Sequence, residues 1–155
     1  MKSIIAVIPA RYQSTRFQGK PLAIIAGKPM IQRVYEQVGQ ADGIDKVIVA
    51  TDDERIYNAV LEFNGNAIMT GECSCGTERV YAAIKDYSCD IVINVQGDEP
   101  LIKPEMINEL IAGFEDDSVE MATLCKEITE TEDINNPNIV KVVRDKDDNA
   151  LYFSR

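Results

Sequence analysis

Residues 4–8, 47–50 and 91–95 are short, largely apolar runs rich in Val and Ile. They lack the alternation of a half-exposed strand and predict parallel strands covered on both faces. Residues 67–70, 121–125, 139–143 and 151–154 carry the same pattern more weakly. The segments between the first strands repeat a different pattern. Ile31, Val34, Tyr35 and Val38 fall at i, i+3, i+4 and i+7, as do Ile56, Ala59, Val60 and Phe63. Val80, Ala83, Ile84 and Tyr87 repeat it, and so do Ile107, Leu110, Ile111 and Phe114. That spacing lays one apolar stripe along each of four helices. Thr51 and Glu54 read as a capping box. Pro104 suits a first helical turn, and Gly65 stands where a helix should stop. The alternation predicts an α/β fold with three layers, α/β/α, around an open, mostly parallel sheet.

In such a sheet, ligands lie beyond the carboxyl ends of the strands. The loops at residues 9–21, 70–79 and 96–100 leave those ends. Charge singles out the first of them. The chain carries 16 Lys+Arg against 26 Asp+Glu, a formal charge of −10. Polyanions are repelled by such a field, so neither nucleic acid nor a membrane surface is an expected partner. Yet Lys2, Arg11, Arg16, Lys20, Lys28 and Arg33 all precede the first acid, Glu36. Arg11, Arg16 and Lys20 share one loop directly after a strand, which points to a local anion site. Scattered over helices, the same cations would read as a solvated surface.

A length of 155 residues with 45% apolar content fits one compact domain, or one domain plus a short piece of another, with a real core. No apolar run approaches the ~20 residues of a membrane span. Pro9 and Arg11 interrupt the opening segment, which lacks a signal-peptide pattern, so the cytoplasm is the expected compartment. The chain has no His, which removes His-based triads, acid–base work and metal ligation. Cys73, Cys75, Cys89 and Cys125 lack zinc-type spacing and are expected as reduced thiols. Chemistry falls to carboxylates, Lys, Arg, amides, hydroxyls and thiols.

Gly19-Lys20 invites comparison with a P-loop, but Ser14 stands where the earlier Gly belongs and Pro21 where Ser or Thr belongs. Pro21 also biases Lys20 toward an extended backbone. What remains is a long loop with three cations, two hydroxyls and free amides, which suits a triphosphate.

The run Pro9-Ala10-Arg11-Tyr12, then Ser14-Thr15-Arg16, then Gly19-Lys20-Pro21-Leu22 resembles the signature loop of the sugar-acid cytidylyltransferases. Gly27-Lys28-Pro29-Met30 continues it. Cys75-Gly76-Thr77-Glu78-Arg79, Asn94-Val95-Gln96-Gly97-Asp98-Glu99-Pro100 and Ala150-Leu151-Tyr152-Phe153-Ser154-Arg155 narrow the resemblance to the 3-deoxy-manno-octulosonate (KDO) cytidylyltransferase, or CMP-KDO synthetase, family. The resemblance implies a Rossmann-like fold of the nucleotide-diphospho-sugar transferase type. It implies transfer of CMP from CTP to the 2-hydroxyl of KDO, with release of pyrophosphate, for lipopolysaccharide biosynthesis. It assigns Arg11, Lys20 and Asp98 to catalysis, the two cations on the β- and γ-phosphates and Asp98 as the Mg2+ ligand. Ala10, Ser14, Arg16, Cys75, Gly76 and Arg79 would complete the nucleotide site, with cytosine near the 75–79 loop. Gln96 would contact nucleotide and substrate, and Arg155 the sugar acid. A homodimer is implied for the full-length enzyme.

Elementary chemistry agrees with parts of this assignment. The leaving pyrophosphate gathers charge that fixed cations stabilise. Magnesium takes a few carboxylates together with phosphate oxygens and water, so one Asp at a strand's carboxyl end is a fitting share. Two positions depart from the family: Cys75 replaces a usual Ser, and Phe17-Gln18 a usual Leu-Pro. The family also continues past residue 155. Residues 1–155 are thus expected to be the CTP-binding domain of a longer enzyme, binding CTP but turning over poorly or not at all. A cytidylyltransferase for another sugar acid, of sialic acid or amino-KDO type, and a non-catalytic CTP-binding fragment stay open. A structural domain without a ligand would leave the acid-free opening unexplained.

Overall fold

The computed structural model describes residues 2–13 and 17–155. Its elements are β1 (Ile4–Ala10), β2 (Ile24–Ile25), β3 (Lys28–Pro29), α1 (Met30–Val38), β4 (Lys46–Thr51), α2 (Glu54–Glu62), β5 (Ala67–Met69), α3 (Gly76–Ile84), β6 (Ile91–Asn94), α4 (Pro104–Ala112), α5 (Thr131–Ile134), β7 (Lys141–Arg144) and β8 (Ala150–Ser154). They fall into two compact units, Met1–Glu115 and Asp116–Arg155.

In the first unit four strands form a sheet in the order β5-β4-β1-β6, and every pair is parallel. From β1 the chain steps outward through β4 to β5, then returns across β1 to β6. The strand order therefore reverses at β1, and a sheet of this kind holds its ligand beyond the carboxyl ends at that point. The pleat divides the core. Ile4, Ala6, Ile8 and Ala10 pack with Ile31, Val34 and Val38 of α1, Ile56 and Val60 of α2 and Ile107 of α4. Ile5 and Val7 pack with Ile48 and Ala50 of β4 and with Val80 and Ala83 of α3. Helices cover both faces, and the three layers are those the apolar pattern predicts. Each large aliphatic side chain so buried contributes about 1.5–3 kcal/mol.

Several local expectations are corrected. Strand β6 is not covered on both faces: Ile91 and Ile93 are buried, whereas Val92 and Asn94 are exposed. It is an edge strand of this sheet. The cap of α2 is Asp53, not Thr51; its carboxylate accepts from the Arg55 N–H at 3.0 Å. Strand β4 runs on through Thr51, which pairs with Ala10, so capping passes to a later acceptor. The Thr51 hydroxyl instead accepts from the Asp53 N–H at 3.2 Å. Helix α2 stops at Glu62, and the left-handed residue beyond it is Asn64 (φ 59°), just ahead of Gly65. Pro104 does open α4.

Residues 121–125 form no strand; the sheet of the second unit is the antiparallel pair β7–β8 alone, among the described residues. Its turn is held by Asp145, which accepts from the N–H groups of Asp147 and Asn149, both at 2.9 Å. Residues 145–148 thus form a largely exposed acidic turn. A hairpin the apolar pattern did not reveal joins β2 to β3 through Ala26 (φ 46°) and Gly27 (φ 81°). Arg33 of α1 steadies it by donating to the carbonyls of Ile25 at 3.1 Å and Ala26 at 2.5 Å.

Candidate functional site

A groove follows the carboxyl ends of β1 and β6. Two cavities within it share Pro9, Ala10, Arg11 and Gln96. One, of about 300 Å³, is completed by residues 73–76 and Arg79. The other, of about 200 Å³, is completed by Lys20, Pro21, Gly97 and Asp98. The three loops that the sequence singled out therefore meet, bringing Ala10, Arg11, Lys20, Cys75, Gly76, Arg79, Gln96 and Asp98 to one groove. Ser14 and Arg16 lie outside the described residues. Arg155 follows β8 in the second unit.

At one end, Lys20 Nζ donates to Asp98 Oδ2 at 2.7 Å, with both side chains partly exposed. Lys20 is not extended, as its Pro neighbour suggested; it opens a 3-10 turn, Lys20–Leu22. A Pro early in such a turn gives up an N–H that has no partner there, so the turn tolerates it. Gly19 (φ 71°) leads into the turn, and its N–H bonds the Tyr12 carbonyl at 2.8 Å. A Cβ on Gly19 would stand 3.0 Å from the Tyr12 ring. The Arg55 guanidinium lies 3.3 Å from the centroid of that ring, a cation–π contact. Arg55 also pairs with Asp53 at 2.6 Å, so the start of α2 supports the cationic loop.

Gly97 explains how Asp98 comes so near. A Cβ there would meet the Pro9 carbonyl oxygen at 2.9 Å and Ile8 Cγ2 at 3.5 Å. Only a residue without a side chain lets this loop lie against the end of β1. The Glu99 N–H closes the loop on the Gln96 carbonyl at 3.3 Å. Gln96 Nε2 donates to Asn94 Oδ1 at 3.4 Å.

At the other end stands the N-terminus of α3, where Cys75 is the cap. Its Sγ accepts from the Glu78 N–H at 3.5 Å, so a thiol performs a task more often given to a hydroxyl. Glu78 accepts from the Ser74 hydroxyl at 2.7 Å and the Ser74 N–H at 2.6 Å. Those two bonds, the hydroxyl's first, hold its carboxyl below the usual range. Gly76, the first helical residue, lines the cavity, where unpaired helix N–H groups favour polar or anionic atoms. Arg79, 4% exposed, donates from Nη1 to Thr70 Oγ1 and from Nη2 to Asp52 Oδ2, both at 2.6 Å.

All four cysteines are free thiols, as expected. No cluster of three or more His, Cys, Asp or Glu suited to a metal occurs among the described residues. Asp98 is a single accessible carboxylate beside a cation. Among the described residues no helix is long and apolar enough to cross a membrane. Sequence reasoning missed Asp52, which lines the adjoining cavity, and Arg55, which backs the Tyr12 ring. Their clue was position: residues 52–55 follow the carboxyl end of β4, the same end of the sheet from which the three loops leave.

A family model described as Cytidylyltransferase matches residues 5–155. The 3-deoxy-manno-octulosonate cytidylyltransferase of Pelobacter propionicus (strain DSM 2379 / NBRC 103807 / OttBd1) is 56% identical over 155 residues, covering 99% of this chain and 61% of its own. That of Syntrophus aciditrophicus (strain SB) is 51% identical over 160 residues, covering 100% and 64%. A solved structure of CMP:2-keto-3-deoxy-manno-octonic acid synthetase complexed with CTP superposes with a TM-score of 0.94 at 47% identity, covering 98% of this chain and 64% of that one. The chain thus spans about three-fifths of the length of the curated relatives it matches.

Proposed function

The chain belongs to the cytidylyltransferase family, and from that premise we propose that it is the nucleotide-binding part of an enzyme that transfers CMP from CTP to the 2-hydroxyl of KDO, releasing pyrophosphate. The observation that carries the reading is the polarity of one groove. Lys20 and Asp98 stand at one end, the start of α3 with Arg79 at the other, and Arg11 lines both cavities. CTP laid along it puts its triphosphate on Arg11 and Lys20 and its cytosine against Cys75, Gly76 and Arg79, and the family resemblance adds Ser14 and Arg16 as phosphate donors. Gln96 and Ala10 line both cavities and so fall between base and phosphates. Gln96 is proposed to meet the incoming sugar acid, and the Arg155 fork its carboxylate.

As the bond to the α-phosphate breaks, charge collects on the β- and γ-phosphates, and Arg11 and Lys20 stabilise it. Lys20 then exchanges the Asp98 carboxylate for phosphate oxygens. Asp98, released, fits Mg2+, which takes a carboxylate or two from protein and the rest from phosphates and water. Bound there, the metal would supply charge neutralisation and a lower pKa for the sugar hydroxyl. The family resemblance supports a cytoplasmic homodimer for the longer enzyme, its product serving lipopolysaccharide biosynthesis.

Titration calorimetry of the chain with CTP, UTP and ATP in magnesium tests the reading, beside Lys20→Ala and Asp98→Asn. Heat with CTP alone is expected, with each substitution weakening it by about 1.5–3 kcal/mol, the scale of a bond to a charged group. A chain that melts cooperatively yet gives no heat with CTP, or binds all three nucleotides alike, overturns it.

A further inference from the structure

Thr51 and Arg79 are the buried polar or charged residues among those described, and Arg79 alone of the two carries charge. A cation out of water needs a counter-charge and satisfied donors to stay in place. Asp52, immediately after β4, supplies the charge at 2.6 Å, and Thr70, immediately after β5, accepts a second bond at 2.6 Å. Thr70 is itself anchored, its hydroxyl donating to the Thr51 carbonyl at 3.3 Å and its N–H to the same carbonyl at 2.8 Å. Two of the five guanidinium donors are thereby engaged, and Arg79 lines both the groove and the cavity beside it. Asp52 lines the neighbouring cavity of about 380 Å³ and not the groove itself.

We infer that Asp52 is a positioning residue for nucleotide binding: through Arg79 it fixes the start of α3 and aims the remaining guanidinium donors at the nucleoside end of the groove. This rests on the nucleotide reading given above. Because the Asp52 carboxylate bonds Arg79, whereas Lys20 bonds Asp98, loss of Asp52 acts first on the nucleoside end and leaves the Lys20–Asp98 pair in place. A merely structural role would weaken both ends together.

The test is direct titration with CTP and with pyrophosphate, in magnesium, of the chain, Asp52→Ala, Asp52→Asn and Lys20→Ala. Asp52→Ala is expected to weaken CTP about tenfold or more while pyrophosphate shifts no more than about twofold, the scale of one bond to a charged group. Asp52→Asn, which keeps an acceptor but not the charge, is expected to recover part of the loss. Unchanged CTP affinity in Asp52→Ala overturns the inference, and so does an equal loss for both ligands. If Asp52→Ala does not fold, Asp52→Asn decides: a CTP-to-pyrophosphate affinity ratio equal to that of the unsubstituted chain overturns it. Failure of the unsubstituted chain to bind CTP, or indifference of Lys20→Ala to both ligands, strikes the nucleotide reading itself and is thus distinguishable.

Discussion

Gly97 has no side chain, and its neighbours leave room for none. The atom a Cβ would strike is the Pro9 carbonyl oxygen, 2.9 Å away, which belongs to the backbone of a central strand and cannot swing aside. Gly97→Ala is therefore expected to lever the 96–98 loop off β1, costing roughly 1–3 kcal/mol as overpacking does. It should also part Asp98 from Lys20. Urea unfolding measures the first effect and CTP titration the second; a variant as stable and as tightly binding as the parent overturns the account. At this scale the sequence named most groove residues but not their bonds. Arg11, Lys20 and Asp98 were legible as types of chemistry in loops at strand ends. That Lys20 meets Asp98, 78 positions later, was not. Such a contact depends on the order of strands in the sheet, which local pattern leaves open. The same holds for Asp52 with Arg79 and for Arg55 over Tyr12.

Among the elements, helices and central strands were legible because burial repeats at a fixed period, and Ile31, Val34, Val38, Ile56 and Val60 are all fully buried as that period requires. Ends were less legible, because several acceptors compete for the same free N–H groups. Residues 51–54 offer Thr, Asp, Asp and Glu in succession, and the extension of β4 decided among them in favour of Asp53. Arg55 hydrogen-bonds Asp53 and, as the largest influence, holds its carboxyl below the usual range against a smaller opposing effect of burial. A carboxyl lowered in the folded state stabilises above its unfolded-state pKa and loses that contribution as pH falls through the folded value. Asp53→Ala should cost about 1 kcal/mol at neutral pH, the usual loss of an N-cap. The cost should shrink once pH drops below the ordinary carboxylate range. Little of it comes from the ion pair, since the Arg55 side chain is 58% exposed. Urea unfolding of both proteins at neutral and acid pH checks this. A difference that grows toward acid contradicts it.

Taken whole, the molecule concentrates its stability in one unit. Every buried apolar residue, from Ile4 to Ile107, lies within Met1–Glu115. No residue from 116 to 155 is buried. The apolar run at 121–125 misled because hydrophobicity marks a strand only where a neighbouring strand pairs with it; Met121 is 90% exposed. In the second unit a two-stranded ladder leaves Leu151, Tyr152 and Phe153 exposed. A lone hairpin of that kind is at best marginally stable in water. Local opening free energies should therefore differ widely between the units, near the global value in β1 and β4 and close to zero in β7 and β8. In hydrogen–deuterium exchange of this chain, peptides spanning β1 and β4 should stay protected while those spanning β7 and β8 exchange at the earliest times. Deleting residues 116–155 should leave the melting of the first unit cooperative, because no buried side chain is removed. Protection of β8 equal to that of β1 would show that residues 116–155 bury their apolar face after all, and would refute this division of stability.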